Sequence, residues 1–125
     1  LVEWLKHGMS IGSHGKTHKS LTKLDQKQIR SEIYNSKNEI QDYFGTNIDT
    51  FSYPFGQINK YSADTVKEIY NFGVTTVRSR FNTIKHKAYY IPRIHMSNDL
   101  SNFKIFLKLK TIYEDIKYNE KQLYM

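Results

Sequence analysis

The chain has 125 residues, a formal charge of +7 and 38% hydrophobic residues including ten Tyr and seven Phe, enough apolar surface for one compact domain. It has no Cys, which excludes disulfide frameworks and thiolate metal sites and leaves any metal to His and carboxylates, a set suited to zinc or a harder divalent ion. No segment approaches the roughly 18 apolar residues of a membrane span, and the lysines are scattered without a helix-turn-helix, zinc-finger or stacking-aromatic motif, so the charge reads as a solvated surface and not as a nucleic-acid footprint.

The chain opens Leu1-Val2-Glu3-Trp4, without a visible signal peptide, and Leu1 reads as a cut point with any export signal upstream of it. Residues 2–7 are expected to end a helix stopped at Gly8, a favourable residue just past a helix end. Met9–Gly12 reads as a short buried strand. A polar loop over Ser13–Thr22 follows, holding two of the five histidines. The longest predicted helix runs from Asp25 to Phe44. Asp25 and Gln28 make a capping-box pair, Ile29, Ile33, Ile40, Tyr43 and Phe44 share one face at helical spacing, and Gly45 ends it.

Thr50–Tyr53 is a predicted strand closed by Pro54 and Gly56. A second helix is expected from Ser62, as its N-cap, to Phe72, with Val66, Ile69 and Tyr70 inward and Gly73 terminating it. Val74–Val77 reads as a β-branched strand and Phe81–Lys87 as polar loop. Tyr89–His95 is a further strand, placed at a sheet edge by Pro92. A final helix from about Asp99 to Tyr118 is expected to bury Phe103, Phe106, Leu107 and Tyr113, and the last residues are polar enough to fray. Alternation of this kind argues for βαβ units and a mainly parallel sheet.

In parallel α/β folds the functional groups gather in loops at the C-terminal strand ends. That rule selects Ser13-His14-Gly15-Lys16-Thr17-His18 and Pro54-Phe55-Gly56, both opening on one face. Residues four apart in a helical turn lie on one side, so two imidazoles at His-x-x-x-His spacing can converge on one ion. A third protein ligand, often a carboxylate, would complete such a site. Taken by spacing alone, His14 and His18 read first as two polar residues of a basic surface loop, since His-x-x-x-His is common by chance; the short apolar strand before them and the turn facing them favour the metal reading.

Met9-Ser10-Ile11-Gly12-Ser13-His14-Gly15-Lys16-Thr17-His18-Lys19-Ser20-Leu21-Thr22 resembles the second motif of polysaccharide deacetylases with NodB homology, His-(Ser/Thr)-x-x-His. Phe51-Ser52-Tyr53-Pro54-Phe55-Gly56 resembles their third motif in its Phe-x-Tyr-Pro-x-Gly variant. The helix from Ile29 to Phe44, with Ser31-Glu32-Ile33 and Ser36-Lys37, fits the stretch between them. Tyr89-Tyr90-Ile91-Pro92-Arg93-Ile94, followed by Ser97 and Asp99, is similar to the end of biofilm poly-N-acetylglucosamine deacetylases. The resemblance covers about residues 4–107 of a single partial domain, with 108–125 as C-terminal helix and tail.

This resemblance implies the C-terminal part of a distorted (β/α) barrel, and hydrolytic N-deacetylation of an N-acetylated polysaccharide, with a biofilm or capsule polymer favoured. It implies a divalent metal, commonly Zn2+, held by His14, His18 and one aspartate. It also implies an oxyanion donor from the backbone of Phe55, and substrate contacts from Tyr53, Pro54 and Phe55. His95 is a candidate general acid or a strand-end polar residue. Arg93, alone in an apolar strand, is expected to pair with a carboxylate, either bracing the catalytic base or forming a structural salt bridge. His7 and His86 read as surface residues.

The chain departs from the family pattern in several places. The Thr-Phe-Asp-Asp motif that supplies the metal aspartate and the general base does not occur in it. Ser52 stands where the third motif usually has Arg, and Gly15 at the Ser/Thr position of the second. The chain is therefore expected to be an inactive fragment of the enzyme, the alternative being a non-catalytic metal- or glycan-binding module of the same fold. An uncovered sheet edge would invite dimerisation. The compartment stays open; the resemblance implies a bacterial surface, periplasmic or secreted setting.

Overall fold

The longest helix grows from its cap. The Asp25 side chain accepts from the Gln28 backbone N–H at 2.8 Å, and the Gln28 side chain accepts from the Asp25 N–H at 3.2 Å, closing the predicted capping box. In the computed structural model, which describes residues 1–78 and 87–111, this helix spans Gln26–Phe44 and ends at Gly45 in the left-handed conformation. It is the second helix, α2, after a short α1 over Val2–Lys6. Ile29 and Ile33 are buried as expected. Tyr43, expected on the same face, is 80% exposed, because periodicity sets the direction of a side chain and not whether a neighbour lies opposite.

Three strands form one parallel sheet in the order β1 (Thr50–Ser52), β2 (Phe72–Arg78), β3 (Ile91–Arg93). Phe51 pairs with Gly73, and Arg78 with Arg93, with an irregularity between Val74 and Arg78 on the β2–β3 side. Helix α3 (Lys60–Ile69) makes the crossover from β1 to β2, the connection a parallel pair requires. The core lies where α2 and α3 cover the sheet, built on Ile29, Ile33, Ile48, Phe51, Val66 and Tyr70.

Several boundaries differ from expectation for identifiable reasons. The N-cap of α3 is Asn59, not Ser62. Ser62 instead supplies the returning half of a second capping box, accepting from the Asn59 N–H at 3.0 Å while Asn59 accepts from the Ser62 N–H at 2.8 Å. Gly73 is inside β2 and stops no helix; a Cβ there would lie 2.6 Å from the Tyr89 carbonyl oxygen, so glycine permits the close approach of the chain entering β3. Met9–Gly12 is not a strand. Met9 is 56% exposed, only Ile11 of the run packs against the core, and pairing begins at Ser13 as an isolated parallel bridge to Phe51. A four-residue run with Ser and Gly at alternate positions has too little apolar surface to hold a ladder.

Helix α4 covers Asn102–Lys110 and is capped by Ser101. Phe103 and Phe106, predicted to be buried, are 68% and 56% exposed; among the described residues α4 turns Ile105, Leu107 and Lys108 inward instead. The predicted loop over residues 81–86 and the predicted helix beyond Thr111, with Tyr113, lie outside the described residues. No described helix is long and apolar enough to cross a membrane.

Candidate functional site

Parallel strands deliver their C-terminal ends to one side, and the segment after Ser13 and the turn after Ser52 open there together. The Ser13 N–H donates to the Thr50 carbonyl and the Ser52 N–H to the Ser13 carbonyl, both at 2.8 Å, so the histidine loop leaves the sheet beside β1. His14 and His18 do converge, but through a loop and not a helical turn. Gly15 (φ 79°) and His18 (φ 55°) take left-handed backbone conformations, folding the loop back until the two Nε2 atoms stand 3.1 Å apart.

The other ring nitrogen of His14, Nδ1, lies 2.7 Å from the Ser52 carbonyl oxygen. A carbonyl can only accept, so Nδ1 carries the proton, and in the neutral ring Nε2 keeps its lone pair. A tetrahedral zinc with imidazole nitrogens at about 2.0–2.1 Å sets neighbouring ligand nitrogens about 3.3 Å apart. The observed pair is close to that spacing and presents the correct atoms. Among the described residues no cluster of three or more His, Cys, Asp or Glu is placed to hold an ion, so the pair alone does not make a complete site.

The second loop lies against the first. The His18 ring sits between His14 and Phe55, with centroids at 4.8 and 4.7 Å. Phe55 also has positive φ, 58°, and it and His18 are the two non-glycine residues with positive φ among those described. Left-handed backbone costs L-residues energy and concentrates where function over-determines the chain. Here both instances touch each other at the candidate site. Ser20 and Gln57, joined by a hydrogen bond from the Ser20 hydroxyl, tie the two loops further out.

Of the three residues expected to contact substrate, Phe55 is 59% exposed, whereas Tyr53 is fully buried and Pro54 is buried with it. The Tyr53 ring packs edge-on against Phe51 at 5.4 Å and its hydroxyl donates to the Tyr89 carbonyl at 3.0 Å. The structure thus places Tyr53 and Pro54 beneath the turn and leaves Phe55 to face outward.

Burial pushes the Tyr53 phenol well above its ordinary range, with nearby Tyr90 and Tyr89 adding to the effect. Tyr70 is raised by burial too, partly offset by hydrogen bonds with Ser13 and Ser36. For a phenol raised on folding, stability is intact below the unfolded value of about 10 and declines as pH rises above it, because only the unfolded chain ionises. Urea midpoints should therefore fall between about pH 9 and about pH 11, and fall less in Tyr53→Phe. An identical fall in that variant would remove Tyr53 from the account.

Arg93 ends β3 and His95 follows it. With Thr76, Arg78, Ile94 and Met96 they line an open depression of about 440 Å³. Arg93 Nε donates to the Thr75 carbonyl at 2.6 Å; the expected carboxylate partner does not appear among the described residues. Thr76 connects the two regions, since its side chain lies directly under Gly56. His7 is an exposed surface residue as expected, bonded to the Glu3 carbonyl at 2.8 Å, while His86 lies outside the described residues.

The sequence of residues 1–77 matches the family of polysaccharide deacetylases. The chain belongs to that family. Its histidine pair and its Tyr53-Pro54 turn both fall inside the matched span. No curated protein matches the sequence. Among solved structures it is similar to the Streptococcus pyogenes deacetylase PplD in complex with acetate, at 21% identity over 87% of this chain and 48% of that one, with a TM-score of 0.81. A polysaccharide deacetylase from Bacillus cereus gives 22% identity over 86% of this chain and 34% of that one, with a TM-score of 0.79. A family 4 carbohydrate esterase from Streptomyces lividans in complex with acetate gives 28% identity over 54% of this chain and 36% of that one, with a TM-score of 0.51. These likenesses establish the fold as part of a NodB-type (β/α) barrel. The chain spans about half or less of each of these deacetylase structures.

Sequence reasoning missed what holds the pair. The carbonyl of Ser52 fixes His14, and a backbone acceptor leaves no side-chain signal. Glu32 and Ser36, which reach the loop from α2, stood in plain view as polar residues of an amphipathic helix, with nothing in their spacing to separate them from its solvated face.

Proposed function

We propose that this chain carries the histidine arm of a divalent-metal site, with Zn2+ the ion favoured, in a domain that removes acetyl groups hydrolytically from an N-acetylated polysaccharide. The observation that carries the reading is the convergence of His14 Nε2 and His18 Nε2 at 3.1 Å with His14 Nδ1 held by the Ser52 carbonyl. Both histidines would hold the ion through Nε2. When bound, such an ion polarises the acetyl carbonyl and lowers the pKa of a bound water.

Hydrolysis adds water across the amide: the C–N bond breaks, acetate leaves and the amine nitrogen takes a proton. His95 is the residue we assign to that proton. The backbone N–H of Phe55, at the exposed turn against His18, is the donor we assign to the developing oxyanion. Arg93 is the residue we assign to brace a carboxylate near His95. The aspartates needed as third ligand and general base belong to a Thr-Phe-Asp-Asp stretch that this sequence does not contain, so the reaction requires carboxylates supplied from outside residues 1–125. A biofilm or capsule polymer is the substrate favoured by the Ile91-Pro92-Arg93-Ile94 stretch.

Calorimetric titration with Zn2+ tests the reading. Wild type should bind and the His14→Ala/His18→Ala double variant should not. Equal heats from both, or none from a folded wild type, would mean that the pair is not a metal site.

A further inference from the structure

Helix α2 meets the histidine loop through one stripe of polar side chains. Glu32, Ser36 and Glu39 follow at i, i+4 and i+7, the spacing of a single helix face. Each reaches a different loop residue. The Glu32 carboxylate accepts from the Thr17 backbone N–H at 2.8 Å with one oxygen and from the Thr17 hydroxyl at 2.7 Å with the other. Ser36, buried, accepts from the Ser13 hydroxyl at 2.7 Å and donates onward to the Ile33 carbonyl at 3.0 Å. Glu39 pairs with Lys16.

Of the loop residues contacted, Ser13 comes just before His14, and Lys16 and Thr17 lie between the two histidines. Glu32 occupies the decisive place. A Cβ on Gly15 would lie 3.5 Å from a Glu32 oxygen and 3.5 Å from Pro54, so the carboxylate is tucked under the loop beside the third-motif turn. Its two bonds fix Thr17, the residue next to His18, whose backbone has the unfavourable φ of 55°. Charge-assisted bonds to a carboxylate are roughly twice as strong as neutral ones, and a bidentate pair fixes orientation as well as distance. A left-handed histidine would otherwise relax toward ordinary backbone and take its Nε2 away from that of His14.

We infer that Glu32 is a positioning residue: it clamps Thr17, holds His18 in its strained conformation, and so sets the two Nε2 atoms at ligand spacing before any ion arrives. Ser36 and Glu39 are supporting contacts of the same stripe. The inference rests on the metal reading of the pair for its consequence, though not for its geometry, and the experiment separates the two. Outer residues that orient ligands commonly alter metal affinity by about 10–100-fold when removed.

The test compares Glu32→Ala and Glu32→Gln with Glu68→Ala. Glu68 provides the control because it too is a two-bond carboxylate of the surface, paired with Arg30 at 2.8 and 2.6 Å, and it has no contact with the loop. Amide hydrogen exchange is followed at Thr17 and His18 without metal, and Zn2+ affinity is then measured by calorimetry below the melting temperature of every variant. In Glu32→Ala the Thr17 amide should exchange at least about 10-fold faster and Zn2+ should bind about 10-fold more weakly. Glu32→Gln, which keeps one accepting oxygen, should fall between it and wild type. Glu68→Ala should change neither quantity, even if it lowers the melting temperature as much. Equal changes in the Glu32 and Glu68 variants, or no change at Thr17, would overturn the inference. A Thr17 amide released only by loss of Glu32, in a chain whose wild type binds no Zn2+, would keep the clamp and sink the metal reading.

Discussion

Replacing Phe51 with alanine should destabilise the chain by about 3–5 kcal/mol, the usual cost of removing a buried aromatic ring. Phe51 is fully buried at the centre of β1, and its ring meets Tyr53 at 5.4 Å and Tyr70 at 5.3 Å. It joins the layer made by α2 and α3 to the strand that carries the third-motif turn. Its backbone neighbours are equally committed, since the Thr50 carbonyl accepts from the Ser13 N–H and the Ser52 N–H donates to the Ser13 carbonyl. A protein of this size has about 5–15 kcal/mol in hand, so the loss would be a large part of the whole. Urea unfolding should show it. Phe106→Ala is the comparison, because that ring is 56% exposed and surface changes of this kind stay within about 0.5 kcal/mol. Similar losses from both would mean that exposure does not separate the two phenylalanines, and a Phe51 loss under about 1 kcal/mol would mean that the core collapses readily around the gap.

Burial at Ile29 and Ile33 was legible in the sequence because helical periodicity reports the side facing the core. The capping box at Asp25 was legible because cap chemistry is local. Tyr43, Phe103 and Phe106 show the limit of that logic: each lies at an apolar position of a helix, yet each is exposed. A helix sequence specifies a face, but the cover over that face comes from elsewhere in the fold. Ser62 shows a different limit, since Asn59 and Ser62 are both good caps and a difference of three residues decides which one starts the helix and which closes the box.

The candidate site was legible in part for a related reason. Residue type and order single out His14, His18 and the turn after Tyr53, whereas the atoms that make the histidines useful belong to backbone. The Ser52 carbonyl sets the protonated nitrogen of His14, and the left-handed φ of His18 and Phe55 brings their rings together. Neither residue type favours that conformation, so no propensity could announce it. The helical-spacing argument expected the two rings to converge, and they do, but by another geometry: their convergence depends on Gly15 and on a loop held from α2.

Gly56→Ala should disrupt the same region from the other side, costing about 2–4 kcal/mol from overpacking together with left-handed backbone. Gly56 has φ 66°, and a Cβ there would overlap the Thr76 hydroxyl oxygen while lying 2.8 Å from the Thr76 Cβ and 2.9 Å from its Cγ2. Thr76 is on β2, so the strain cannot be relieved by a flexible side-chain end. Either β2 moves or the Pro54–Gly56 turn does. The turn carries Phe55, and Phe55 packs on His18 at 4.7 Å, so lifting it would loosen the histidine pair as well. The variant should therefore lower the urea midpoint and weaken Zn2+ binding together, whereas Phe51→Ala acts through the core alone. Thr76→Ala in the same chain removes the overlapping oxygen and Cγ2 but leaves the Cβ and the strained φ, so the double variant should recover about half of the loss. Full recovery would assign the cost to the Thr76 side chain alone; no recovery would assign it to the backbone at Gly56, and the close packing between the turn and β2 would then not be what fixes the position of Phe55.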